Sequence, residues 1–82
     1  MEHSCEFIFL NYELKKRKDK EEKYMIFNCL DYKKSPCKFF IFDSNLINKI
    51  VERQFESLEE IDLTYQVTFN NNQWFVKLVD VL

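Results

Sequence analysis

The sequence contains no glycine among its 82 residues and only one proline. Average usage would give roughly six glycines in a chain of this length, so turns that need a left-handed backbone must use other residues. Asn tolerates that conformation, and the chain has seven Asn. We therefore expect turns built from Asn, Asp, Ser and Pro36. The absence of glycine also excludes a glycine-rich loop that cradles phosphate.

Residues that carry enzyme or metal chemistry are scarce. The only histidine is His3, and the three cysteines, Cys5, Cys29 and Cys37, form no Cys-x-x-Cys pair. Their separations match no zinc finger or zinc ribbon. We interpret the cysteines as reduced, buried thiols of a cytoplasmic protein. We expect no enzyme activity, no cofactor and no bound metal.

No apolar run reaches the roughly 18 residues that a membrane span needs. The first 13 residues, MEHSCEFIFLNYE, carry acids before their short apolar part, where a signal peptide would carry positive charge. We therefore expect no membrane partner and no export signal. The length predicts a single domain, residues 1–82, and the 17% aromatic content supplies large side chains for a small core.

The pattern of apolar and polar residues predicts five strands and one helix. Apolar residues spaced three and four apart predict a helix over 45–54, with Asp43 or Ser44 as its N-cap. Segment 15–23 is expected to be a solvated connection. Alternating or apolar runs predict strands over 5–14, 24–32, 37–43, 61–69 and 73–82.

One helix between the third and fourth strands of a five-stranded antiparallel barrel is the arrangement of the OB-fold. In this layout the chain resembles the small OB-fold single-stranded-DNA-binding proteins of bacteria, phages and mobile elements. The resemblance covers nearly the whole chain through element order and length, without a diagnostic motif. It implies a mainly β, OB-like barrel with its oligonucleotide face on strands 2 and 3. Such folds commonly bend strand 1 at a glycine or a bulge, and Asn11 is the expected substitute. An open sheet with one helix packed on it is the alternative.

Positive charge is concentrated in the first half of the sequence. Residues 1–41 contain nine Lys and Arg against seven Asp and Glu, whereas residues 42–82 contain three against seven. The cations gather in 15–23 and in 33–38. In an OB-fold these segments would be the loop joining strands 1 and 2 and the turn joining strands 2 and 3. A solvated loop beside an ordinary core is the simpler interpretation of both.

Polar residues within strands 2 and 3 indicate which side chains face outward. Asn28 and Lys38 must face solvent, and the aromatic residues on their sides are Tyr24, Tyr32, Phe40 and Phe42. Aromatic rings stack on bases at about 1–3 kcal/mol each, and lysines contact phosphates. We therefore predict a nucleic-acid-binding surface made of Lys15, Lys16, Arg17, Lys18, Tyr24, Tyr32, Lys33, Lys34, Lys38, Phe40 and Phe42.

Two further predictions concern burial. In strand 1 the even positions between 8 and 14 stay apolar, which predicts one face that is buried throughout. Both sides are apolar at the start of the strand, so the second face is expected to be covered there. In the last strand, Lys77 marks the solvent side, which places Phe75 in solvent and Trp74 in the core.

The sequence thus leaves two functions open. The first is binding of single-stranded DNA, with RNA as the less favoured ligand, at low sequence specificity and with strong salt dependence. The second is a protein-interaction module, in which the same aromatic face or an exposed strand edge forms a homo-oligomer or binds a larger protein.

Overall fold

Five strands and one helix follow one another in the predicted order within the residues that the structure describes. The structure, a computed structural model, describes residues 2–18 and 22–82. Three residues of the predicted connection 15–23, residues 19–21, lie outside the described ranges. The elements are β1 (Glu2–Lys16), β2 (Lys23–Leu30), β3 (Pro36–Ile41), α1 (Ser44–Arg53), β4 (Glu60–Asn70) and β5 (Gln73–Val81).

The strands form one antiparallel sheet in the order β3-β2-β1-β4-β5, and the sheet curls into a half-barrel. The central strand β1 pairs with β4 over Glu2–Ile8 and with β2 over Ile8–Lys16. The edge strands β3 and β5 approach each other across a groove. No ladder joins these two strands within the described ranges. The mainly β class with one helix is therefore confirmed, and the curl of the sheet stops short of a hydrogen-bonded closed barrel.

A bulge in β1 bends the sheet where that strand changes partners. The pairing of β1 with β2 shifts register between Phe9 and Asn11, so one residue of β1 is left unpaired. Before the bulge Phe7 and Phe9 are buried, and after it Tyr12 packs against the core. The prediction that the even positions between 8 and 14 form one continuous buried face is therefore wrong. A one-residue insertion exchanges the two faces of a strand. The bend that was expected at Asn11 is formed by this bulge, which lies directly before Asn11.

The concave side of the sheet holds the core, and α1 covers it. The helix contacts β2 and β5 and buries Leu46, Ile47 and Ile50. Its N-cap is Asp43, whose Oδ1 accepts a hydrogen bond from the Asn45 backbone N at 2.9 Å. The sheet contributes the other core residues, which are Phe7, Phe9, Met25, Phe27, Cys29, Phe39, Ile41, Ile61, Leu63, Leu78 and Val81.

Turns without glycine use left-handed residues of several types. Asn71 and Asn72 join β4 to β5 with φ of 52° and 61°, the backbone of a two-residue hairpin turn of type I′. The predicted use of Asn is confirmed there. Elsewhere the left-handed positions are Lys34, Gln54 and Leu58, which the composition did not indicate. These three side chains carry a local conformational cost that glycine would avoid.

The β4–β5 hairpin extends beyond the core. Trp74 is 69% exposed, so the prediction that it lies in the core is wrong. Trp74 does share its side of β5 with the buried Leu78. The hairpin has passed the end of the core at Trp74, whose ring contacts the exposed Phe69. Phe75, predicted to face solvent, is half-exposed.

Candidate nucleic-acid interface

The convex face of β1, β2 and β3 carries aromatic and basic side chains in cross-strand rows. Burial alternates along β2, where Met25, Phe27 and Cys29 are fully buried. Phe39 and Ile41 of β3 are also buried, whereas Phe40 is 55% and Phe42 is 56% exposed. The predicted outward and inward sides of β2 and β3 are therefore confirmed. The rows pair Lys15 with Tyr24, Ile26 with Phe40, and Asn28 with Lys38.

Seven of the predicted residues line one groove of about 820 Å³ at the end of this face. Basic residues from the end of β1 form one wall, and aromatic residues from β2 and β3 form the other. Tyr24 follows the basic residues closely in sequence, whereas Phe40 and Phe42 are distant from them. The two walls meet because β2 is hydrogen-bonded to both β1 and β3. We call this site the basic-aromatic groove, and its residues are Lys15, Lys16, Arg17, Lys18, Tyr24, Phe40 and Phe42.

Contacts inside the groove orient its rings. Tyr24 and Phe42 stack with ring centroids 5.6 Å apart and an angle of 27° between their planes. The Arg17 guanidinium carbon lies 5.1 Å from the centroid of Phe42. Phe40 contacts no other aromatic ring among the described residues, and more than half of it is exposed. Phe40 is as exposed as Phe42, but its ring faces are not covered by another aromatic ring of the described residues, so a flat ligand could stack on it.

Two carboxylates lie next to the groove. Glu22 forms an ion pair with Arg17 at 3.4 Å between Nη1 and Oε2, and both side chains are largely exposed. Such a surface pair contributes only about 0–1 kcal/mol, so Arg17 can exchange Glu22 for another anion at small cost. Glu13 lies directly opposite Ile26, on the row adjacent to the groove. The negative charge of Glu13 partly cancels the positive charge of the lysines in the groove.

The other predicted residues lie away from the groove. Tyr32, Lys33 and Lys34 are in the β2–β3 turn, about 25 Å along β2 from Tyr24 at 3.3 Å per residue. Asp31 organises that turn: its Oδ1 accepts hydrogen bonds from the backbone N of Lys33 at 2.8 Å and of Ser35 at 2.9 Å. The structure therefore separates the two basic segments that the sequence analysis placed along one face.

Lys38 belongs to a second groove, of about 570 Å³, between the edge strands β3 and β5. This groove shares Phe40 and Phe42 with the basic-aromatic groove, so the two are continuous. It adds Phe75 and Lys77 of β5, which the sequence analysis did not assign to the site. The alternation of Phe75 with Lys77 was visible in the sequence, but the approach of β5 to β3 was not.

Acidic side chains gather on the other half of the convex face, where β1 pairs with β4. Glu6 lies opposite Asp62, and Glu60 is nearby on the same strand. The charge of Glu60 and a hydrogen bond with its carboxylate raise the pKa of Glu6, with smaller contributions from burial and from Asp62. Glu6, Glu60 and Asp62 thus form an acidic cluster on this half of the face, away from the basic-aromatic groove.

The cysteines are free thiols on the core side of the sheet. Cys29 and Cys37 lie opposite each other across β2 and β3. Burial raises the pKa of Cys29 to about 12 and also raises the pKa of Cys37. His3 stacks on Tyr65 with ring centroids 5.4 Å apart. Across the described ranges, no three His, Cys, Asp or Glu side chains come together as metal ligands.

Comparison with known proteins found no matching family model, no matching curated protein and no matching solved structure. In the part of the chain that the structure describes, no helix is long and apolar enough to cross a membrane. The interpretation of the basic-aromatic groove therefore depends on its own geometry and charge.

Proposed function

We propose that this protein is an OB-fold module that binds single-stranded DNA in the basic-aromatic groove, with low sequence specificity. The observation that carries the proposal is the convergence of four cationic side chains and three aromatic rings on one open groove. Bases stack on the rings while the cations contact the phosphates, the combination that non-specific single-strand binding uses.

The path of the chain supports the OB-fold assignment. The central strand β1 pairs with both β2 and β4, and the single helix lies between β3 and β4. The edge strands β3 and β5 face each other across a groove, as in a partly open five-stranded barrel. The basic-aromatic groove lies on β2, β3 and the end of β1, which is the region where OB-folds bind oligonucleotides.

The side chains on the convex face favour stacking over reading of base edges. Asn11 and Asn28 are amides on this face that could recognise a base, but the Asn28 side-chain amide donates to Asn11 Oδ1 at 2.7 Å. Their hydrogen-bonding capacity is thus partly used within the protein. Phe40 and the Tyr24–Phe42 pair offer flat surfaces that accept any base. Low sequence specificity follows from this arrangement.

The experiment is an anisotropy titration of a fluorescein-labelled oligo-dT of about 15 nucleotides in low salt, a length within the range that OB-folds bind. The test variant is Phe40→Ala, and the matched control is Tyr32→Ala. Both replace an exposed aromatic ring, but Tyr32 lies in the distant β2–β3 turn. We expect Phe40→Ala to weaken binding about 5- to 150-fold, the equivalent of one lost stacking contact. Tyr32→Ala should change binding little.

Three outcomes separate the alternatives. If the two variants lose the same amount of affinity, the oligonucleotide binds across the whole face and not in the groove alone. Tighter binding of an oligo-rU of the same length would make RNA the preferred ligand. If neither oligonucleotide binds at tens of micromolar protein in low salt, the proposal is wrong. A larger protein would then become the expected partner of the aromatic face.

A further inference from the structure

The β4–β5 hairpin carries an apolar face that the core does not cover. Cross-strand pairs on this side of the hairpin run outward from Tyr65 and Leu78 through Val67 and Val76 to Phe69 and Trp74. Leu78 lies in the core and Tyr65 packs against it. The two outer pairs lie farther along the hairpin, where it extends past the core. The rings of Phe69 and Trp74 contact each other with centroids 4.9 Å apart. This hairpin patch is defined by Val67, Phe69, Trp74 and Val76.

The hairpin patch is large enough for a weak protein contact. Phe69 is 57%, Trp74 is 69% and Val76 is 52% exposed. With about 150–250 Å² of surface for each aromatic side chain, Phe69 and Trp74 together expose roughly 190–310 Å², and Val76 adds a smaller area. Patches of about 300–600 Å² on monomers are often functional. Two such patches together would bury at most roughly 700 Å², well below the roughly 1,600 Å² of a standard stable interface, so only a weak and transient contact is expected.

The charge of the hairpin indicates what covers it. The 14 residues from Leu63 to Val76 include no charged side chain, in a chain that is 32% charged. A nucleic acid bound here would find no cation for its phosphates within this segment. A strongly acidic or basic protein would find no complementary charge. A second copy of the hairpin, equally uncharged, meets it without repulsion although each chain carries a net charge of −2.

We propose that the hairpin patch is the contact between two copies of this chain, arranged about a two-fold axis. In such an arrangement the same patch serves both copies, so each Trp74 packs on the partner's apolar face. The small area makes the dimer weak. Val76 of the hairpin patch lines the second groove, between β3 and β5, but no residue of the patch lines the basic-aromatic groove. The contact therefore leaves the basic-aromatic groove of each copy free. The proposal does not depend on nucleic-acid binding.

Trp74 is the only tryptophan in the chain, so its fluorescence reports on the contact directly. As protein concentration rises from about 1 to 500 µM, the emission of Trp74 should shift to the blue while sedimentation velocity shows dimer. Val76→Glu places like charges at the contact but keeps Trp74 as reporter. This variant should remain monomeric and red-shifted, with a dissociation constant at least about tenfold higher. Trp74→Ser, followed by sedimentation alone, is a second variant for the case that Val76→Glu lowers the melting temperature.

The control is Phe40→Ala, which removes an exposed ring from the basic-aromatic groove and should dimerise like the wild type. The proposal is overturned if the wild-type chain stays monomeric throughout the concentration range. It is also overturned if Phe40→Ala abolishes the dimer while Trp74→Ser preserves it, since the contact would then lie on the other face. Quenching of Trp74 by oligo-dT in a strictly monomeric protein would instead make the hairpin part of the nucleic-acid site.

Discussion

Replacing Lys15 and Lys16 by Gln should weaken binding of single-stranded DNA and flatten its dependence on salt. Both lysines line the basic-aromatic groove. Each phosphate that a lysine neutralises releases condensed counterions, which gives a slope of about 0.7 in log K against log salt for a single strand. Losing two contacts should therefore reduce the slope by about 1.4. Between about 50 and 200 mM salt, the wild type should lose about sevenfold more affinity than the double variant.

The assay is a set of anisotropy titrations at four or more salt concentrations. The matched control is the double variant Lys33→Gln and Lys34→Gln, which removes the same charge from the distant β2–β3 turn. This control should keep the wild-type slope within about 0.3, because Lys33 and Lys34 lie outside the basic-aromatic groove. A general effect of net charge would instead change the slope equally in both double variants. If the slope of log K against log salt falls equally in the two double variants, the phosphates are not bound in the groove and the reasoning is wrong.

Three further predictions concern stability and reactivity. Phe27 is fully buried and Phe40 is mostly exposed, so by urea unfolding Phe27→Ala should cost about 3–5 kcal/mol and Phe40→Ala less than about 1 kcal/mol; similar costs would contradict the assigned faces. Neighbouring carboxylates raise the pKa of Glu6, so its ionised form opposes folding above that pKa and this penalty disappears as pH falls through it. Glu6→Gln should therefore raise the melting temperature near pH 7 and raise it less near about pH 4, whereas an equal gain at both would refute the electrostatic cause. With its pKa raised to about 12 by burial, Cys29 should react with a maleimide far more slowly than the part-exposed Cys5, and equal rates by mass spectrometry would contradict its burial.

The sequence predicted the element order because each element has its own period. The three- and four-residue spacing after Asp43 contrasts with the strict alternation from Ile61 onward, so the helix and the following strand can be told apart. The outward sides of β2 and β3 were also predictable. Each of these strands is short and regular, and one polar residue, Asn28 or Lys38, is enough to fix its faces.

The wrong predictions have physical causes that the spacing of apolar residues does not reveal. The bulge before Asn11 exchanges the faces of β1, and the apolar residues on both sides of that position conceal it. Trp74 lies on the predicted side of β5 but beyond the end of the core. The alternation of residues along a strand shows which side a residue faces, but it does not show whether the core extends that far. The basic turn around Lys33 shares a face with Tyr24 but lies at the other end of the strand. Position along the strand had to be considered as well as the face.

The most direct test of the central claim is amide NMR of the wild-type chain titrated with unlabelled oligo-dT in low salt. Binding in the basic-aromatic groove should shift the amides of residues 14–18, 23–25 and 39–42, which surround the groove. The amides of the acidic β1–β4 face, at residues 5–7 and 60–63, should shift little. Absence of shifts at hundreds of micromolar oligonucleotide, or shifts centred on the β1–β4 face, would contradict the account.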